Sequence, residues 1–468
     1  MQQIPTALLD SLEGLPGFDR AQFLHAHQEI PSQASVRFHP VKSPVHRREA
    51  RCTSMFRGRT ETFVASDIPW CADAIGLTPR PSFTFDPAFH AGAYYVQEAA
   101  SMFLGYALTM VCSEMAGLRA IDVCAAPGGK STQLATLPFI ESLCSNEIIR
   151  TRIPVLYENT VKWGMPHVFI SQDDPARIGR LGETFDLMLV DAPCSGSGLF
   201  RRDPDAIREW SPRHVDLCSQ RQRRILADAL PALAEGGILA YATCSYAREE
   251  NEDILDWLVR EMEMESIPIE TPDAWGIHAT VSPRTGAVGY RFYPGERPGE
   301  GFFLACLRKR SGSGRTTQEP SRKPAWSPQP MPGVGAWLSN SERFLYREHS
   351  EGWMAIPATL AGHQEILASG LSLRKSGLLL GKIMKGSLNP EHELAMSTAL
   401  GSEMSVVELS LEEALQFLRR DNILPAGAAN GWNLMRYDGL PLGWIKAMGH
   451  RANNYYPMDW RIRSAGVF

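Results

Sequence analysis

The chain has 468 residues, of which 44% are hydrophobic and 21% are charged, and its formal net charge is −5. This length suits about two to four domains, and no apolar stretch approaches the ~20 residues of a membrane helix. The charge excludes a chain that is basic throughout, and nine cysteines without a C-x-x-C pair argue against a zinc site and a secreted disulfide scaffold. We therefore expect a cytoplasmic protein that holds no metal.

Residues 1–90 mix short helical and strand patterns. The first fifteen residues, MQQIPTALLDSLEGL, are typical of an amphipathic helix and not of a signal peptide. Residues 34–42 alternate like a strand, and Pro44–Arg48 adds positive charge beside it. We predict a small α+β domain with one basic face, and a solvated charged loop is the alternative interpretation of the basic cluster.

The stretch Leu118–Thr132, LRAIDVCAAPGGKST, has the pattern of a strand, a tight glycine turn and the start of a helix. Such a turn is typical of a nucleotide-cofactor loop, because small residues let the backbone approach a ligand and free N–H groups bind anionic groups. The dinucleotide pattern G-x-G-x-x-G is absent, and Cys124 stands where a Walker loop has its first glycine. Taken alone, the turn fits a cofactor site and an ordinary strand–helix connection equally well.

Strand and helix patterns alternate from residue 118 to about residue 310. Ahead of them, Tyr94–Met102 leads into an apolar helix running toward Leu108. A long helical pattern, Arg213–Ala232, follows Ser211 as N-cap and Pro212 in the first turn. The alternation predicts a doubly wound α/β sheet. Its predicted strands are Ala120–Val123, Ser142–Ser145, His167–Ser171, Phe185–Val190, Ile238–Ala242 and Phe302–Leu307.

Carboxylates follow three successive predicted strands: Glu147, Asp173 and Asp191. Each alone could be a cap or turn residue. Because the carboxyl ends of parallel strands meet at one edge of a sheet, the three together predict a shared crevice. Glu147 is the one placed where an acidic side chain binds ribose hydroxyls.

Two cysteines also stand at predicted strand ends. Cys194 follows Asp191-Ala192-Pro193, and Cys244 follows Thr243. A single cysteine at such a position is usually a small buried residue. Two of them on neighbouring strands beside a cofactor loop predict that both thiols line the same crevice.

The C-terminal part begins after a segment rich in Ser, Gly, Pro and basic residues, which we interpret as a linker over 311–333. Leu411–Arg420 has the pattern of an amphipathic helix, and Gly431–Arg463 has strand-like pieces split by glycine turns. Basic residues and aromatic residues alternate in this last segment. They suit RNA phosphates and bases, although an aromatic core with an ordinary basic surface is the equally weighted alternative.

Several of these motifs together resemble the signatures of the Nol/Nop/Sun (NSUN) family of RNA 5-methylcytosine methyltransferases. They are DVCAAPGGKST, Asn146-Glu147, DAPCSG at 191–196, RRDP at 201–204 and TCS at 243–245, with YVQE at 95–98 and GFFLA at 301–305 as flanking motifs. The resemblance covers about 30–310. The C-terminal LGWIKAMGHRANNYYP is similar to the RsmF-type branch, which acts on 16S ribosomal RNA and carries a PUA-like end.

The resemblance implies a Rossmann-like class I methyltransferase that transfers a methyl group from S-adenosylmethionine to C5 of a cytosine in RNA. The expected partner is 16S rRNA in the 30S subunit, with tRNA or 23S rRNA as alternatives, and we expect a monomer that binds neither membrane nor DNA. The implied organisation is an RNA-docking α+β domain at 1–90, the methyltransferase domain at 91–310, the linker at 311–333, and an RNA-binding region with a PUA-like end at 334–468.

The same resemblance assigns residue roles. Cys244 is the nucleophile that adds to C6 of the cytosine, Asp191 contacts the N3 edge, and Cys194 assists loss of the C5 proton and product release. The opposite assignment of the two cysteines stays open, because DNA 5-methylcytosine methyltransferases use a Pro-Cys cysteine as nucleophile.

The resemblance also implies which residues bind the cofactor. Glu147 would bind the ribose, Asp173 or the adjacent Asp174 the adenine, and Asp191 would border the cofactor as well. Lys130 could meet a carboxylate or the RNA backbone. The loop around the amino acid part would be Cys124, Ala125, Ala126, Pro127, Gly128, Gly129 and Lys130.

One departure from the family concerns His39, which stands where the first motif, Ser-x-Arg-x-Asn, commonly has Asn, so RNA contact by that segment is in doubt. Two rival functions remain. A P-loop-type NTPase would hydrolyse ATP, and a non-catalytic RNA-binding protein would be indifferent to loss of Cys244.

Overall fold

The computed structural model describes residues 3–29, 33–43, 64–295, 299–310, 326–327 and 333–464. The predicted basic cluster Pro44–Arg48 and most of the predicted linker at 311–333 lie outside these ranges. Within them the strands form four β-sheets. None of the helices in the described ranges combines the length and the apolar character that crossing a membrane requires.

The N-terminal part contains a four-stranded antiparallel sheet of order β2-β3-β1-β4. Its strand β1 is buried at every residue because it lies between β3 and β4. The first two helices pack elsewhere: Leu8, Leu12 and Phe23 join a cluster with Trp210 and Tyr246 of the central domain. The elements are α1 (Thr6–Leu12), α2 (Arg20–Gln28), β1 (Ala34–Phe38), β2 (Val64–Asp67), β3 (Ala74–Thr78), α3 (Pro87–His90) and β4 (Tyr94–Val96).

The central sheet follows, and all six predicted strands are present in it as β5, β6, β7, β8, β9 and β13. The doubly wound α/β fold is confirmed. The elements are α4 (Phe103–Cys112), β5 (Leu118–Asp122), α5 (Gly129–Leu134), β6 (Ile140–Asn146), α6 (Ile153–Trp163), β7 (Val168–Ser171), α7 (Pro175–Gly179), β8 (Phe185–Asp191), α8 (Pro204–Glu209), α9 (Pro212–Ala229), β9 (Leu233–Thr243), α10 (Glu252–Glu261), β10 (Met264–Ile267), β11 (His278–Val281), β12 (Val288–Phe292) and β13 (Phe302–Lys309).

The order of the strands fixes where a ligand can bind. From β11 the sheet runs β11-β12-β13-β9-β8-β5-β6-β7, and the strands from β9 to β7 are parallel. The chain winds outward from β5 in one direction through β6 and β7, then returns to β8 on the other side. The switch point therefore lies between β5 and β8, where open α/β sheets form their ligand crevice. The predicted strand at Phe302 is antiparallel to β9, so the sheet is mixed at that edge.

Helix α9 begins as the sequence predicts, because the Ser211 side chain accepts a hydrogen bond from the His214 N–H and Pro212 occupies the first turn. The α-helix ends at Ala229 and continues as a short 3₁₀ turn through Ala232. Its buried face includes Gln222 and Ile225. Ile225 packs in one apolar cluster with Val190 of β8 and Tyr241 of β9, so this helix covers the sheet beside those two strands.

The C-terminal part forms two further four-stranded sheets, of order β14-β15-β17-β18 and β19-β20-β21-β22. The predicted helix at Leu411 is confirmed as α13, capped by Ser410 and Glu413, and it ends at Arg419 because Arg420 has a φ of 72°. The elements are β14 (Phe344–His349), β15 (Gly352–Pro357), α11 (Ala361–Gly370), β16 (Leu373–Lys375), β17 (Leu378–Met384), β18 (Ser387–Pro390), α12 (His392–Met396), β19 (Ser405–Glu408), α13 (Leu411–Arg419), β20 (Gly431–Tyr437), β21 (Leu440–Met448) and β22 (Arg451–Asn454).

The C-terminal part is joined to the central sheet by a strand that the sequence analysis did not identify. Strand β16 pairs antiparallel with β7, with Leu373 opposite Ser171. A buried hydrogen bond of 2.6 Å also joins Ser142 Oγ to His363 Nδ1. The N-terminal and C-terminal sheets share one apolar cluster, in which Phe38 and Phe417 are both buried. The three parts of the chain therefore meet around the central sheet.

Candidate active site

The loops after β5, β6, β8 and β9 line one cavity of about 740 Å³ at the switch point of the central sheet. It brings together nearly all the residues that the sequence analysis selected. Gly128 and Asp173 are the two exceptions. The selected residues lining the cavity are Cys124, Ala125, Ala126, Pro127, Gly129, Lys130, Glu147, Asp191, Cys194 and Cys244.

The glycine turn after β5 has the geometry of a close-approach loop. Gly128 has a φ of 111°, a conformation that residues with a Cβ rarely adopt. An added Cβ at Gly129 would lie 3.2 Å from the Tyr95 ring, so the loop is also closely packed. Burial and then the nearby carboxylates raise the pKa of Cys124. The Cys124 thiol therefore keeps its proton, and it serves as a small side chain of the loop and not as a nucleophile.

A buried arginine from the N-terminal sheet donates hydrogen bonds to the start of helix α5, which follows this loop. Arg37 donates from Nε to Gln97 Oε1 at 2.8 Å and from Nη2 to Thr132 Oγ1 at 2.7 Å, and its guanidinium lies 4.6 Å from the centre of the Trp163 ring. His39 is buried as well, with Nε2 3.0 Å from the Trp163 carbonyl oxygen. The Ser35–His39 segment thus faces the protein interior, in agreement with the doubt about its contact with RNA.

Glu147 has a buried carboxylate whose two oxygens are used differently. Oε1 accepts a hydrogen bond from the Ile149 N–H at 2.8 Å. Oε2 lies 3.2 Å from Arg152 Nη1 but receives no hydrogen bond within the described ranges. Since a buried oxygen without a hydrogen bond is costly even beside a cation, this oxygen suits a ligand hydroxyl in the cavity.

Asp173 is placed differently from the expectation. Its carboxylate accepts from Arg177 Nη1 at 2.8 Å and from the Ser372 N–H at 2.7 Å, and it does not line the cavity. Asp174, the alternative, is exposed and caps α7 through the Ala176 N–H. The expected contact between either side chain and adenine is therefore not supported. Ser372, whose N–H donates to the Asp173 carboxylate, belongs to the C-terminal part and directly precedes β16.

The sequence analysis missed Asp122 as a site residue because it ends the apolar run of β5. Asp122 lines the cavity, and its Oδ2 accepts from Ser131 Oγ at 2.6 Å. Burial raises the pKa of Asp122 to about 7, against the opposing hydrogen bond from Ser131. An acidic residue inside a buried strand is the signal that could have revealed it.

Lys130 and Asp191 form an ion pair inside the cavity, with 2.8 Å between Nζ and Oδ2. Burial alone would lower the pKa of Lys130, but the charge and hydrogen bond of Asp191 outweigh it, so that pKa lies above its ordinary value. Lys130 Nζ also lies 5.2 Å from the centre of the Phe302 ring. The arrangement keeps Lys130 charged and directed at Asp191.

The two strand-end cysteines meet. Cys194 Sγ and Cys244 Sγ are 2.9 Å apart, at hydrogen-bond distance. Their hydrogen bond, followed by burial and the negative charge of Cys244, raises the pKa of Cys194 well above its ordinary value. The Cys194 thiol therefore keeps its proton at neutral pH. Either sulfur can be the donor in the contact between the two cysteines.

The cavity also contains charged residues that were not selected from the sequence, among them two arginines of α9. Arg221 and Arg224 stand one turn apart on α9, line the cavity and are exposed. They place positive charge at the mouth on the side of Cys194. Charged residues on an amphipathic helix usually belong to its solvated face, so the pattern alone could not single them out.

Comparison with known proteins gives three matches along the chain. Residues 110–308 match the family described as 16S rRNA methyltransferase RsmB/F. Residues 4–99 match the N-terminal domain of 16S rRNA methyltransferase RsmF, and residues 404–462 match the methyltransferase RsmF PUA domain.

Individual relatives agree with these matches. A ribosomal RNA small subunit methyltransferase F from Shewanella amazonensis is 31% identical over 84% of this chain and 85% of its own. Another from Escherichia coli O157:H7 is 30% identical over 99% and 96%. Among solved structures, a methyltransferase homolog protein from Pyrococcus horikoshii covers 65% of this chain and all of its own, at 28% identity and a TM-score of 0.52.

Proposed function

Because the chain belongs to the RsmB/F family of 16S rRNA methyltransferases, we propose that it methylates C5 of a cytosine in 16S ribosomal RNA. One observation carries the proposal: two cysteine sulfurs lie 2.9 Å apart in a single cavity. Cytosine C5 is a poor nucleophile, and a thiolate that adds to C6 makes it reactive. A second thiol beside the first can serve the later loss of the C5 proton.

The methyl donor of this family of enzymes, S-adenosylmethionine, supplies an electrophilic methyl group when it is bound. The residues present fit it. The turn from Cys124 to Lys130 would hold the amino acid part, with Asp122 beside it, and Glu147 Oε2 is free to accept from a ribose hydroxyl. Asp173 and Arg177 pair with each other outside the cavity, so we assign them no contact with the donor.

The chemical steps on the base are assigned to three side chains. The Cys244 thiolate forms a bond to C6, and the electron pair of the C5–C6 double bond moves onto C5. Asp191, held by Lys130, hydrogen-bonds the N3 edge of a base that carries a proton on N3. That proton neutralises the negative charge that the addition places in the ring, and it is released again when the double bond re-forms. After C5 is methylated, Cys194 assists removal of the C5 proton. The electron pair left behind re-forms the double bond and expels Cys244.

The target base must leave any stack to reach both sulfurs, because they lie inside a cavity and not on an open surface. Arg221 and Arg224 at the mouth are suited to the phosphates on either side of such an extruded nucleotide. We place the reaction in the cytoplasm, where free cysteines stay reduced.

The substrate is tested by transfer of labelled methyl groups from S-adenosylmethionine to 30S subunits, to protein-free 16S rRNA and to tRNA. We expect 5-methylcytidine in the digested 16S rRNA. Label in tRNA alone would move the assignment to the alternative substrate. Label at another base or atom would contradict the C5 reaction itself.

Glu147→Ala is expected to weaken the binding of S-adenosylhomocysteine by about tenfold or more, because it removes a buried acceptor worth about 1–3 kcal/mol. Isothermal titration calorimetry measures the change. Glu141→Ala is the matched control, since Glu141 is an exposed carboxylate on β6, the strand that Glu147 directly follows, and lies outside the cavity. An affinity in Glu147→Ala equal to that of the control would contradict the ribose role.

The C-terminal part has its own basic cavity, of about 590 Å³, lined by Arg419, Arg420, Tyr455, Arg461 and their neighbours. Arg461 Nη1 donates to the Met458 carbonyl oxygen at 2.7 Å, which holds that guanidinium at the edge of the cavity. Tyr455 is 42% exposed, enough to stack on a base. These residues favour an RNA contact in this region.

Replacing both Arg420 and Arg461 with Gln is expected to weaken RNA binding evenly across sequences. The slope of log affinity against log salt should fall by about 0.7–0.9 for each phosphate that the protein no longer neutralises. Filter binding at several salt concentrations measures this slope. Arg208→Gln is the control, because Arg208 is exposed but already pairs with Asp205. An unchanged slope in the double variant would mean that this cavity does not bind RNA phosphates.

A further inference from the structure

The two turns that carry the cysteines both donate hydrogen bonds to one carboxylate, which lies outside the cavity. Glu250 is fully buried at the end of a short 3₁₀ turn, Arg248–Glu250, and it does not line the cavity. Its Oε1 accepts from the Ser195 N–H at 2.8 Å. Its Oε2 accepts from Ser195 Oγ and from Ser245 Oγ, both at 2.5 Å. Ser195 follows Cys194 directly, and Ser245 follows Cys244.

A second layer of hydrogen bonds fixes the carboxylate. Gln222 Nε2 donates to Glu250 Oε1 and to the Pro193 carbonyl oxygen, each at 3.1 Å. Tyr241 Oη donates to the Glu250 carbonyl oxygen at 2.6 Å. Both cysteine turns are thus hydrogen-bonded to Glu250, and Pro193, which precedes Cys194, is linked to it through Gln222.

The charge of Glu250 is balanced by donors and not by a cation. Within the described ranges no Lys or Arg forms an ion pair with it, and its two oxygens accept four hydrogen bonds. Such a set suits a carboxylate, which accepts at both oxygens, whereas an amide accepts at one oxygen only and would turn the two serine hydroxyls into acceptors. Burying a carboxylate without a cation is costly, so an apolar or amide side chain would serve better if filling space were the only role.

We propose that Glu250 is the positioning residue that holds Cys194 and Cys244 in contact and keeps their roles distinct. The inference rests on the proposed function, since it explains how that function's two thiols are arranged. The negative charge of Glu250 adds to the hydrogen bond with Cys244 and to burial in raising the pKa of Cys194. By hydrogen bonds, Glu250 reaches each cysteine through the serine that follows it, Ser195 after Cys194 and Ser245 after Cys244.

The test compares Glu250→Gln with Glu249→Gln, which changes an exposed neighbour in the same turn. We expect kcat for methyl transfer in Glu250→Gln to fall by between about tenfold and about a hundredfold, as misplaced reacting groups do. The KM for S-adenosylmethionine should stay unchanged, because Glu250 does not line the cavity. Equal kcat in the two variants would overturn the proposal.

A second readout needs neither RNA nor methyl transfer. Iodoacetamide alkylation at a series of pH values, followed by mass spectrometry, gives the rate at each cysteine. In the unmodified protein Cys194 should react only at a pH above that of an ordinary thiol, and in Glu250→Gln that pH should fall. An unchanged pH profile of Cys194 would overturn the proposal even if the RNA substrate proved to be different. A failed transfer assay with the shifted profile would instead count against the proposed function alone.

Ser245→Ala covers the case in which Glu250→Gln does not fold. It removes one donor to the carboxylate but leaves the buried charge with three others. We expect a smaller loss of kcat than in Glu250→Gln, with thermal unfolding close to that of the unmodified protein. Full activity in Ser245→Ala would show that the tie to the Cys244 turn is not needed and would also overturn the proposal.

Discussion

Replacing Cys244 with alanine is expected to lower methyl transfer by more than about a thousandfold, as loss of a covalent nucleophile does in other enzymes. Without a sulfur at this position nothing adds to C6, and C5 stays unreactive. Binding of S-adenosylhomocysteine should change little, because cofactor contacts are assigned to the β5 and β6 loops. Transfer of labelled methyl groups to RNA and a denaturing gel for protein–RNA adducts measure the two effects.

The control for this substitution is Cys71→Ala, which changes a partly buried cysteine outside the cavity. It should keep full transfer activity. If Cys244→Ala kept its activity while Cys194→Ala lost it, the two cysteine roles would be reversed.

Replacing Cys194 with alanine is expected to have the opposite effect on the adduct. Cys244 can still add to C6, but loss of the C5 proton is slowed, so the covalent protein–RNA complex should accumulate. Turnover should fall by about a hundredfold or more, the range of a lost general base. A shifted band on a denaturing gel, dependent on S-adenosylmethionine, measures it.

The double variant Cys194→Ala, Cys244→Ala separates the two roles. It should give no shifted band, because the band requires the sulfur that bonds to C6. A band of equal strength in the double variant would trace the adduct to some other residue. Absence of the band in Cys194→Ala alone would refute the role assigned to Cys194.

The central fold could be predicted from the sequence because its signals are local. Strands β5 and β8 are nearly continuous apolar runs that end in a polar residue. This pattern is typical of a strand that is covered on both faces of the sheet. The loop after β5 and the Pro-Cys turn after β8 follow those ends directly. The alternation of strands and helices then places both loops on one edge of the sheet.

The parts that could not be predicted depend on contacts between distant positions. Strand β16 has three residues, too few for a periodic pattern, and its place beside β7 is fixed only by the folded C-terminal part. Asp173 lies outside the cavity and accepts a hydrogen bond from Ser372, which is 199 residues later in the chain. An acidic residue after a strand therefore indicated the crevice correctly in Glu147 and Asp191, but not in Asp173.

The buried position of Glu250 could not be predicted from the sequence either. In the sequence it belongs to an acidic run, REENED, which is typical of an exposed helix start. Only the fold brings it against Ser195, 55 residues earlier, and makes it a buried acceptor. Within such an acidic run, the sequence pattern alone cannot distinguish the one buried carboxylate from its exposed neighbours.

The measurement that tests the account most directly identifies the sulfur that bonds to the base. A 16S rRNA fragment containing 5-fluorocytidine should trap the unmodified enzyme in the presence of S-adenosylmethionine, because fluorine at C5 cannot leave as a proton does. Proteolysis and mass spectrometry of the trapped complex then show which peptide carries the nucleotide. We predict the peptide containing Cys244. Attachment through Cys194, or no attachment to an RNA that is methylated in its unfluorinated form, would contradict the mechanism.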